Sequence, residues 1–129
     1  MAAKTAEAEL ETRWRDILSV HARTMCEIDR VLHPHGLGAS DFEVLDLLAA
    51  RTAQEGDQCR VQNLVGRVHL SQSALSRLIG RLEKEGLVQR SVCAEDRRGV
   101  WVALTDKGRD LHTEVLPLQR EVLRRTLAD

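Results

Sequence analysis

The most constraining feature of the sequence is the order of short elements between Val61 and Arg109. A short segment with helical apolar periodicity is followed by a longer one and then by two β-prone segments. The loop between the two β-prone segments carries Asp96, Arg97 and Arg98 at its tip. This order of elements is typical of a helix-turn-helix followed by a β-wing.

The longer segment, Ser71–Gly86, predicts an amphipathic helix. One face is apolar, at intervals of three and four residues, and consists of Leu75, Leu78, Ile79 and Leu82. Ser71 suits an N-cap and Gly86 suits a left-handed C-terminal residue, so the boundaries agree with the period. The other face carries hydrogen-bonding and cationic groups, namely Gln72, Ser73, Ser76, Arg77 and Arg81. We expect Ser71 and this face to contact a DNA major groove. For Arg77 the alternative is an ion pair with Glu43 or Asp46.

Charge is distributed unevenly along the chain. The net charge is −1, but residues 60–109 contain ten Lys or Arg and five Asp or Glu. Residues 1–59 contain six Lys or Arg and eleven Asp or Glu. The basic excess therefore coincides with the predicted motif, as expected of a surface that neutralises phosphates.

Two helices and a short third one are predicted before the motif helix. The first runs from Thr5 to Leu32, where a His-Pro-His-Gly sequence stops it. The segment Ser40–Glu43 matches a capping box and opens the second helix. Residues 52–57 are predicted to be a polar connection, and a short helix is expected over residues 62–68, weakened by its internal glycine.

The β-prone segments Val88–Val92 and Val100–Leu104 have equal length and predict an antiparallel ribbon. Thr105 and Asp106 then begin a last helix, in which Pro117 predicts a kink. The apolar stripes of the first and last helices are too long for so small a domain to cover, so we expect a dimer seam there.

The resulting fold class is mainly α with a small β-wing: a winged helix-turn-helix with long N- and C-terminal dimerisation helices. We expect one domain over residues 1–129, with a DNA-binding lobe at 40–105 and dimerisation helices at 5–32 and 106–127. No apolar run approaches the roughly 20 residues of a membrane span, and no secretory signal is visible, so a cytoplasmic location is expected.

Other classes find little support in the sequence. The three cysteines (Cys26, Cys59 and Cys93) do not form a disulfide framework or a CxxC pair. No phosphate loop or grouped nucleophile and base is visible, so we expect neither an enzyme nor a bound cofactor. With no Tyr and one Phe the chain has no stacking platform for single strands, which favours duplex DNA.

In this order the elements resemble the MarR family of winged-helix transcriptional regulators. The most specific matches are residues 82–90 (LEKEGLVQR), 96–99 (DRRG) and 102–105 (VALT), followed by Gly108. The resemblance implies a homodimer on a pseudo-palindromic operator, with each recognition helix in a major groove. It also implies that Arg98 enters the minor groove and that Asp96 supports it through a salt bridge. The closing helix usual in the family is absent because the chain ends at Asp129, so either the chain is truncated or the dimer rests on the two terminal stripes.

Family members often respond to a small ligand or to cysteine oxidation, and the sequence leaves the choice open. Trp14, His21 and Glu43 are candidates for an effector pocket, with packing in the dimer core as the alternative for Trp14. Cys93 beside the wing and Cys26 on the first helix are the redox candidates. His21, His33, His35 and His112, with Glu114, do not have metal-ligand spacing, so no metal is expected.

The sequence thus predicts a regulator that binds specific double-stranded DNA, a repressor that ligand binding releases. The alternative is a winged-helix interaction module, an anti-regulator that binds protein rather than DNA. A protein-binding helix would show aromatic or aliphatic anchors at the positions that Ser71 to Arg77 fill with polar groups.

Overall fold

The computed structural model of the chain describes residues 2–55, 59–92 and 99–128. Within these ranges the helices are α1 (Ala2–Leu32), α2 (Ala39–Glu55), α3 (Val61–Val68), α4 (Gln72–Lys84) and α5 (Asp106–Leu127). The strands are β1 (Cys59–Arg60), β2 (Val88–Val92) and β3 (Val100–Leu104). No helix in the described part combines the length and apolar character needed to span a membrane. The predicted fold class, mainly α with a small β-wing, is confirmed.

The stop between the first two helices is where the sequence predicts it. Residues 33–35 form a single 3-10 turn with Pro34 in its first turn, and Gly36 follows with a φ of 78°. This left-handed conformation favours glycine because a Cβ would be strained there. α1 itself begins at Ala2, three residues ahead of the predicted Thr5.

The predicted capping box at Ser40–Glu43 is wrong, because it does not lie at the first residue of α2. α2 begins earlier, at Ala39. The Asp41 carboxylate reaches back and accepts a hydrogen bond from the Gly38 amide at 2.7 Å. Asp29 on α1 accepts another from the Ala39 amide at 2.8 Å. These two carboxylates satisfy free amides at the helix start, and one of them comes from a neighbouring helix that sequence spacing does not reveal.

Two further differences lie between α2 and α3. α2 continues through Glu55, so residues 52–55 are helical and not part of a polar connection. Cys59 and Arg60 form β1. The sequence did not predict this strand, because two residues are too few to show a periodicity. β1 pairs antiparallel with β3, and α3 follows it directly, beginning at Val61 instead of Gln62.

The ribbon of the wing has the predicted bounds. β2 and β3 pair antiparallel from Val88 opposite Leu104 to Val92 opposite Val100. β3 is the central strand of the sheet, with β1 on its other side. The tip of the wing, residues 93–98, lies outside the described residues.

A single hydrophobic core holds α2, α4, the sheet and the C-terminal half of α1 against α5. Its fully buried members include Leu32, Phe42, Leu45, Leu64, Val102, Val115 and Val122. The predicted apolar face of α4 lies in this core, since Leu75, Leu78, Ile79 and Leu82 are all buried. Burial of this face fixes which side of α4 faces solvent.

The start of α5 is tied to the turn after α4. Thr105 caps α5, because its Oγ1 accepts a hydrogen bond from the Gly108 amide at 3.0 Å, and it donates to the Gly86 carbonyl at 2.6 Å. Gly108 packs so closely that a Cβ there would lie 2.0 Å from the Leu87 carbonyl oxygen. α5 then runs as one helix through Pro117.

The N-terminal part of α1 extends past the end of α5. Near the end of α5, the Thr24 and Thr126 hydroxyls are hydrogen-bonded at 3.0 Å and Arg23 donates to the Thr126 carbonyl at 3.4 Å. Residues 3–19 of α1 are all exposed. At 1.5 Å per residue the uncovered part of α1 is about 25 Å long. It carries an apolar stripe on the same helical face as the buried Ile28, formed by Leu10, Trp14 and Ile17.

We predict that Gly108→Ala lowers the free energy of unfolding by about 3 kcal/mol or more, because the added methyl group overlaps the Leu87 carbonyl. Gly66→Ala is the matched control, since Gly66 lies inside α3 and has nothing within 4 Å of its added Cβ. It should stabilise the protein by up to about 1 kcal/mol. Urea unfolding followed by circular dichroism measures both. Equal effects of the two substitutions would contradict the close contact.

Candidate nucleic-acid interface

The N-terminal half of α4 presents a polar surface. Ser71 caps the helix as predicted, with its Oγ accepting a hydrogen bond from the Ala74 amide at 3.1 Å. The side chains that follow on the outer face are exposed, namely Gln72, Ser73, Ser76 and Arg77. Because the opposite face is buried, these four side chains are held toward solvent together. The structure therefore brings together most of the predicted recognition residues.

Arg77 is the exposed cation of this surface. In the described part of the chain its guanidinium has no ion-pair partner. The alternative predicted from sequence, a pair with Glu43 or Asp46, is not observed there. Asp46 instead binds His112 at 2.8 Å and Arg120 at 3.0 Å. Arg77 is thus available to a base edge or a phosphate.

Arg81 has a different environment from the other predicted DNA contacts. Its guanidinium forms an ion pair and a hydrogen bond with Asp41, whose side chain is only 5% exposed. The hydrogen bond to this carboxylate raises the pKa of Arg81. The pair joins the C-terminal half of α4 to the start of α2. We therefore separate Arg81 from the DNA-facing group and assign it to the packing of α4.

The stem of the wing is fastened to α4. The Glu83 carboxylate accepts hydrogen bonds from the Arg90 backbone amide at 3.0 Å and from its Nε at 3.1 Å. These bonds, the backbone bond first, lower the pKa of Glu83. Because both groups of Arg90 are engaged, the direction of β2 is fixed relative to α4. The predicted tip residues Asp96, Arg97 and Arg98 lie outside the described residues.

A cleft of about 130 Å³ separates α4 from the wing and the start of α3. Its polar lining consists of Arg60, Gln62, Gln72, Ser76 and Arg90. The Arg60 guanidinium lies 5.0 Å from the centre of the Trp101 ring, within the range of a cation–π interaction. Arg60, Gln62 and Arg90 were missed by sequence reasoning. Pairing of β1 with β3 brings Arg60 and Gln62 to α4, and the hydrogen bonds to Glu83 hold Arg90 there. Their only sequence signal was the basic excess of residues 60–109.

The three predicted effector residues do not form one site. His21 lines an apolar groove of about 480 Å³ between α1 and the end of α5, together with Ile17, Val20, Met25 and Leu127. Trp14 and Glu43 do not line this groove. Trp14 is exposed further toward the N-terminus of α1, whereas Glu43 lies on α2. The predicted pocket of three residues is therefore not assembled in the single chain.

Glu43 lies in an unfavourable electrostatic environment. Burial, followed by the charge of Asp46, raises the pKa of Glu43, while Arg120 and His69 oppose the shift. These neighbours come from α5 and from the turn between α3 and α4. Glu43 therefore faces the joint between the two motif helices and α5.

The remaining candidates are placed as follows. Cys26 is free and exposed on α1, and Cys93 lies outside the described residues. His35 lies 3.5 Å from the Glu114 carboxylate, and His112 is buried against Asp46. In the described ranges no three His, Cys, Asp or Glu side chains are grouped so that they could hold a metal ion.

Two solved structures with the same architecture are MarR family regulators of Streptomyces coelicolor. AbsC is 33% identical, with a TM-score of 0.80, and the match covers 91% of this chain and 77% of AbsC. Sco3205, whose structure is of a complex with DNA, is 27% identical with a TM-score of 0.82, and the match covers 93% of this chain and 74% of Sco3205.

Comparison by sequence gives the same family. The MarR family model matches residues 39–100, which run from the start of α2 to the start of β3. The HTH-type transcriptional regulator MhqR of Bacillus subtilis is 29% identical over 90 residues, covering 70% of this chain and 59% of MhqR. A second B. subtilis regulator of this type, YkoM, is 31% identical over 84 residues, which cover 65% of this chain and 51% of YkoM. The chain thus spans between half and three fifths of these two curated relatives.

The fold and the exposed face of α4 define a winged helix-turn-helix protein. The chain belongs to the MarR family. Its relatives are transcriptional regulators and not enzymes, which confirms the prediction that the chain is not an enzyme.

We predict that Arg81→Gln destabilises the fold by about 1–3 kcal/mol, because it leaves the buried Asp41 carboxylate without its cationic partner. Arg77→Gln makes the same change one helical turn earlier, at an exposed position, and should alter stability by less than about 0.5 kcal/mol. Chemical unfolding of both variants at neutral pH measures the difference. If Arg77→Gln were the more destabilising of the two, the assignment of Arg81 to packing would fail.

Proposed function

We propose that this chain is a transcriptional regulator that binds specific double-stranded DNA through α4. The observation that carries the proposal is the exposed polar face of Gln72, Ser73, Ser76 and Arg77, held outward by burial of the opposite face. Amide, hydroxyl and guanidinium groups are those that distinguish base edges in a major groove. An α-helix also has the diameter that this groove admits.

Phosphate contacts flank this face in the proposal. Arg60 and Gln62 lie at the start of α3, across the cleft from α4, where they can meet the backbone of the same groove. The basic excess of residues 60–109 supports binding to phosphates. The insertion of Arg98 into the minor groove, supported by Asp96, stays a prediction from the family resemblance.

The regulator acts as a homodimer in this proposal. A stripe of Leu10, Trp14 and Ile17 lies on about 25 Å of α1 that the chain itself leaves uncovered. Isolated helices are marginal in water, so such a helix needs a partner along its apolar face. A second copy supplies the same stripe by two-fold symmetry. Two copies of α4 then reach successive major grooves of a pseudo-palindromic operator, roughly 34–36 Å apart.

Repression released by a small ligand is the regulatory mode that we propose. The groove containing His21 is almost entirely apolar and lies between α1 and the end of α5. A small apolar or aromatic molecule seated there would change how α1 packs at the seam. Trp14 lies on the same face of α1, one to two turns away. A cytoplasmic location accompanies this function.

The alternative, a winged-helix module that binds a protein and not DNA, needs apolar or aromatic anchors on α4. The outer face of α4 offers none at residues 72, 73, 76 and 77. Selection of duplexes from a random library separates the two functions. Recovery of a common sequence supports the regulator, and recovery of none supports the interaction module.

We predict that Arg77→Gln relaxes base preference. If Arg77 contacts a guanine edge, the selected duplex loses about 1–3 kcal/mol of its advantage over a duplex changed at that one base pair. Fluorescence anisotropy titrations at fixed salt measure both affinities. An equal loss on every duplex, with a shallower salt dependence, would make Arg77 a phosphate contact instead.

We predict that Ile17→Glu converts the proposed dimer to monomers, because it places a charge on the apolar stripe of α1. Ser19→Glu is the matched control, since Ser19 is exposed on the opposite side of the same helix. Sedimentation equilibrium gives the mass of each variant, and anisotropy gives its affinity for the selected duplex. A dimeric Ile17→Glu variant with unchanged DNA affinity would exclude this stripe as the interface.

A further inference from the structure

α5 is joined to the helix-turn-helix lobe at two places. The first is its start, where Thr105 binds the Gly86 carbonyl and Lys107 Nζ donates to the Glu85 carbonyl at 2.9 Å. The second lies two to four turns further along and contains Phe42 and Asp46 of α2 with His112, Gln119 and Arg120 of α5. We call these five residues the α2–α5 cluster. Nothing in the proposed DNA contacts uses them.

The polar half of the cluster is centred on Asp46. Its Oδ1 lies 2.8 Å from His112 Nε2, and its Oδ2 accepts a hydrogen bond from Arg120 at 3.0 Å. A second nitrogen of Arg120 donates to Gln119 Oε1 at 2.5 Å. Both oxygens of the carboxylate are therefore occupied by groups from α5. The two α5 residues that bind Asp46, His112 and Arg120, are eight positions apart, or about 12 Å along the helix.

The aromatic half of the cluster makes a second contact between α2 and α5. The Phe42 and His112 rings are stacked with their centroids 5.7 Å apart and an interplanar angle of 22°. The Arg120 guanidinium lies over the Phe42 ring, 5.8 Å from its centre. Phe42, His112 and Gln119 are buried, whereas the side chains of Asp46 and Arg120 are 25% and 41% exposed.

Directional contacts of this kind restrict the angle between α2 and α5 in addition to apolar packing. A carboxylate shared by an imidazole and a guanidinium satisfies both partners only over a narrow range of distances and angles. A partly exposed ion pair adds little stability, and polar contacts between packed elements select one arrangement in some proteins. The α2–α5 cluster has the composition expected of an element that sets orientation.

The cluster stands between the proposed seam and the DNA-reading helix. On one side, α5 packs along α1, which carries the exposed stripe. On the other, Asp41 of α2 forms an ion pair with Arg81 of α4, and the charges of Arg120 and His69 act to lower the pKa of Glu43. His69 is in the turn between α3 and α4, where its φ of 56° is unusual for a residue other than glycine. A change in the angle between α2 and α5 would therefore move α4.

We propose that Asp46, His112 and Arg120 are positioning residues that set the separation of the two recognition helices and so the half-site spacing that the dimer accepts. This proposal rests on the proposed function, since it requires a dimer that binds DNA. In this role the cluster helps the protein to discriminate between duplexes, although none of its side chains contacts DNA.

The test uses duplexes that differ only in spacing. The parent is the duplex selected from a random library by the wild-type protein, and in the others the half-sites are moved together or apart by one or two base pairs. An isolated half-site completes the set. Asp46→Asn and Arg120→Gln should weaken binding to the parent by about 2- to 30-fold. They should weaken binding to the shifted duplexes less, and binding to the half-site not at all.

Matched variants separate this role from folding and from DNA contact. Arg124→Gln removes an arginine from an exposed ion pair with Glu121 on the same helix and should keep the wild-type spacing preference. The double variant Asp46→Asn with Arg120→Gln should lose no more than the more affected single variant, because both act through one contact. Arg120→Lys retains the charge and should recover part of the preference. Circular dichroism at the assay temperature verifies that each variant is folded.

Each result decides the proposal. A flattened spacing preference with an unchanged half-site affinity supports it. An unchanged preference in folded Asp46→Asn and Arg120→Gln overturns it while leaving the proposed function intact. An equal loss on the parent, the shifted duplexes and the half-site also overturns it, because that pattern belongs to a direct contact or to partial unfolding. A wild-type protein that selects no duplex removes the proposed function, and this proposal with it.

Discussion

The contact on which the structure most depends is the one between the end of α4 and the start of α5. The carbonyl groups that follow a helix have no partners within it, and here α5 supplies them. Thr105 binds the Gly86 carbonyl through its hydroxyl and the Leu87 carbonyl through its amide. Gly108 lies against Leu87 at a distance that excludes any side chain. The recognition helix, the wing and the last helix therefore share one rigid junction.

From this junction the two long helices lead away from the helix-turn-helix lobe. α5 packs on the C-terminal half of α1, where Thr126 is hydrogen-bonded to Thr24. α5 ends at Leu127, and α1 extends beyond it. The uncovered stripe on α1 and the buried core are parts of one helical face, divided only by where α5 stops. The same periodicity thus serves the fold in one half of the helix and, in our proposal, the assembly in the other.

The two arginines of α4 show how far a sequence pattern can be taken. Arg77 and Arg81 are four residues apart on a helix, and by periodicity both belong to the polar face. In the fold, Arg81 meets the buried Asp41, forty residues earlier in the chain, and Arg77 meets no carboxylate in the described ranges. The position of α2 makes this distinction. In the same way, pairing of β1 with β3 places Arg60 beside α4, and Glu83 holds Arg90 there.

The sequence by itself determined the order of the elements, the bounds of β2 and β3, the cap at Ser71 and the two faces of α4. These properties are local, since periodicity, capping and turn chemistry act over a few residues. Tertiary structure alone decided where α2 is capped, that β1 exists, which arginine of α4 is free, and that Trp14, His21 and Glu43 do not share a pocket. It also assembled the α2–α5 cluster from residues more than sixty positions apart. Such contacts depend on how helices pack in space, and no short-range pattern records the distance between two segments that are far apart in the chain.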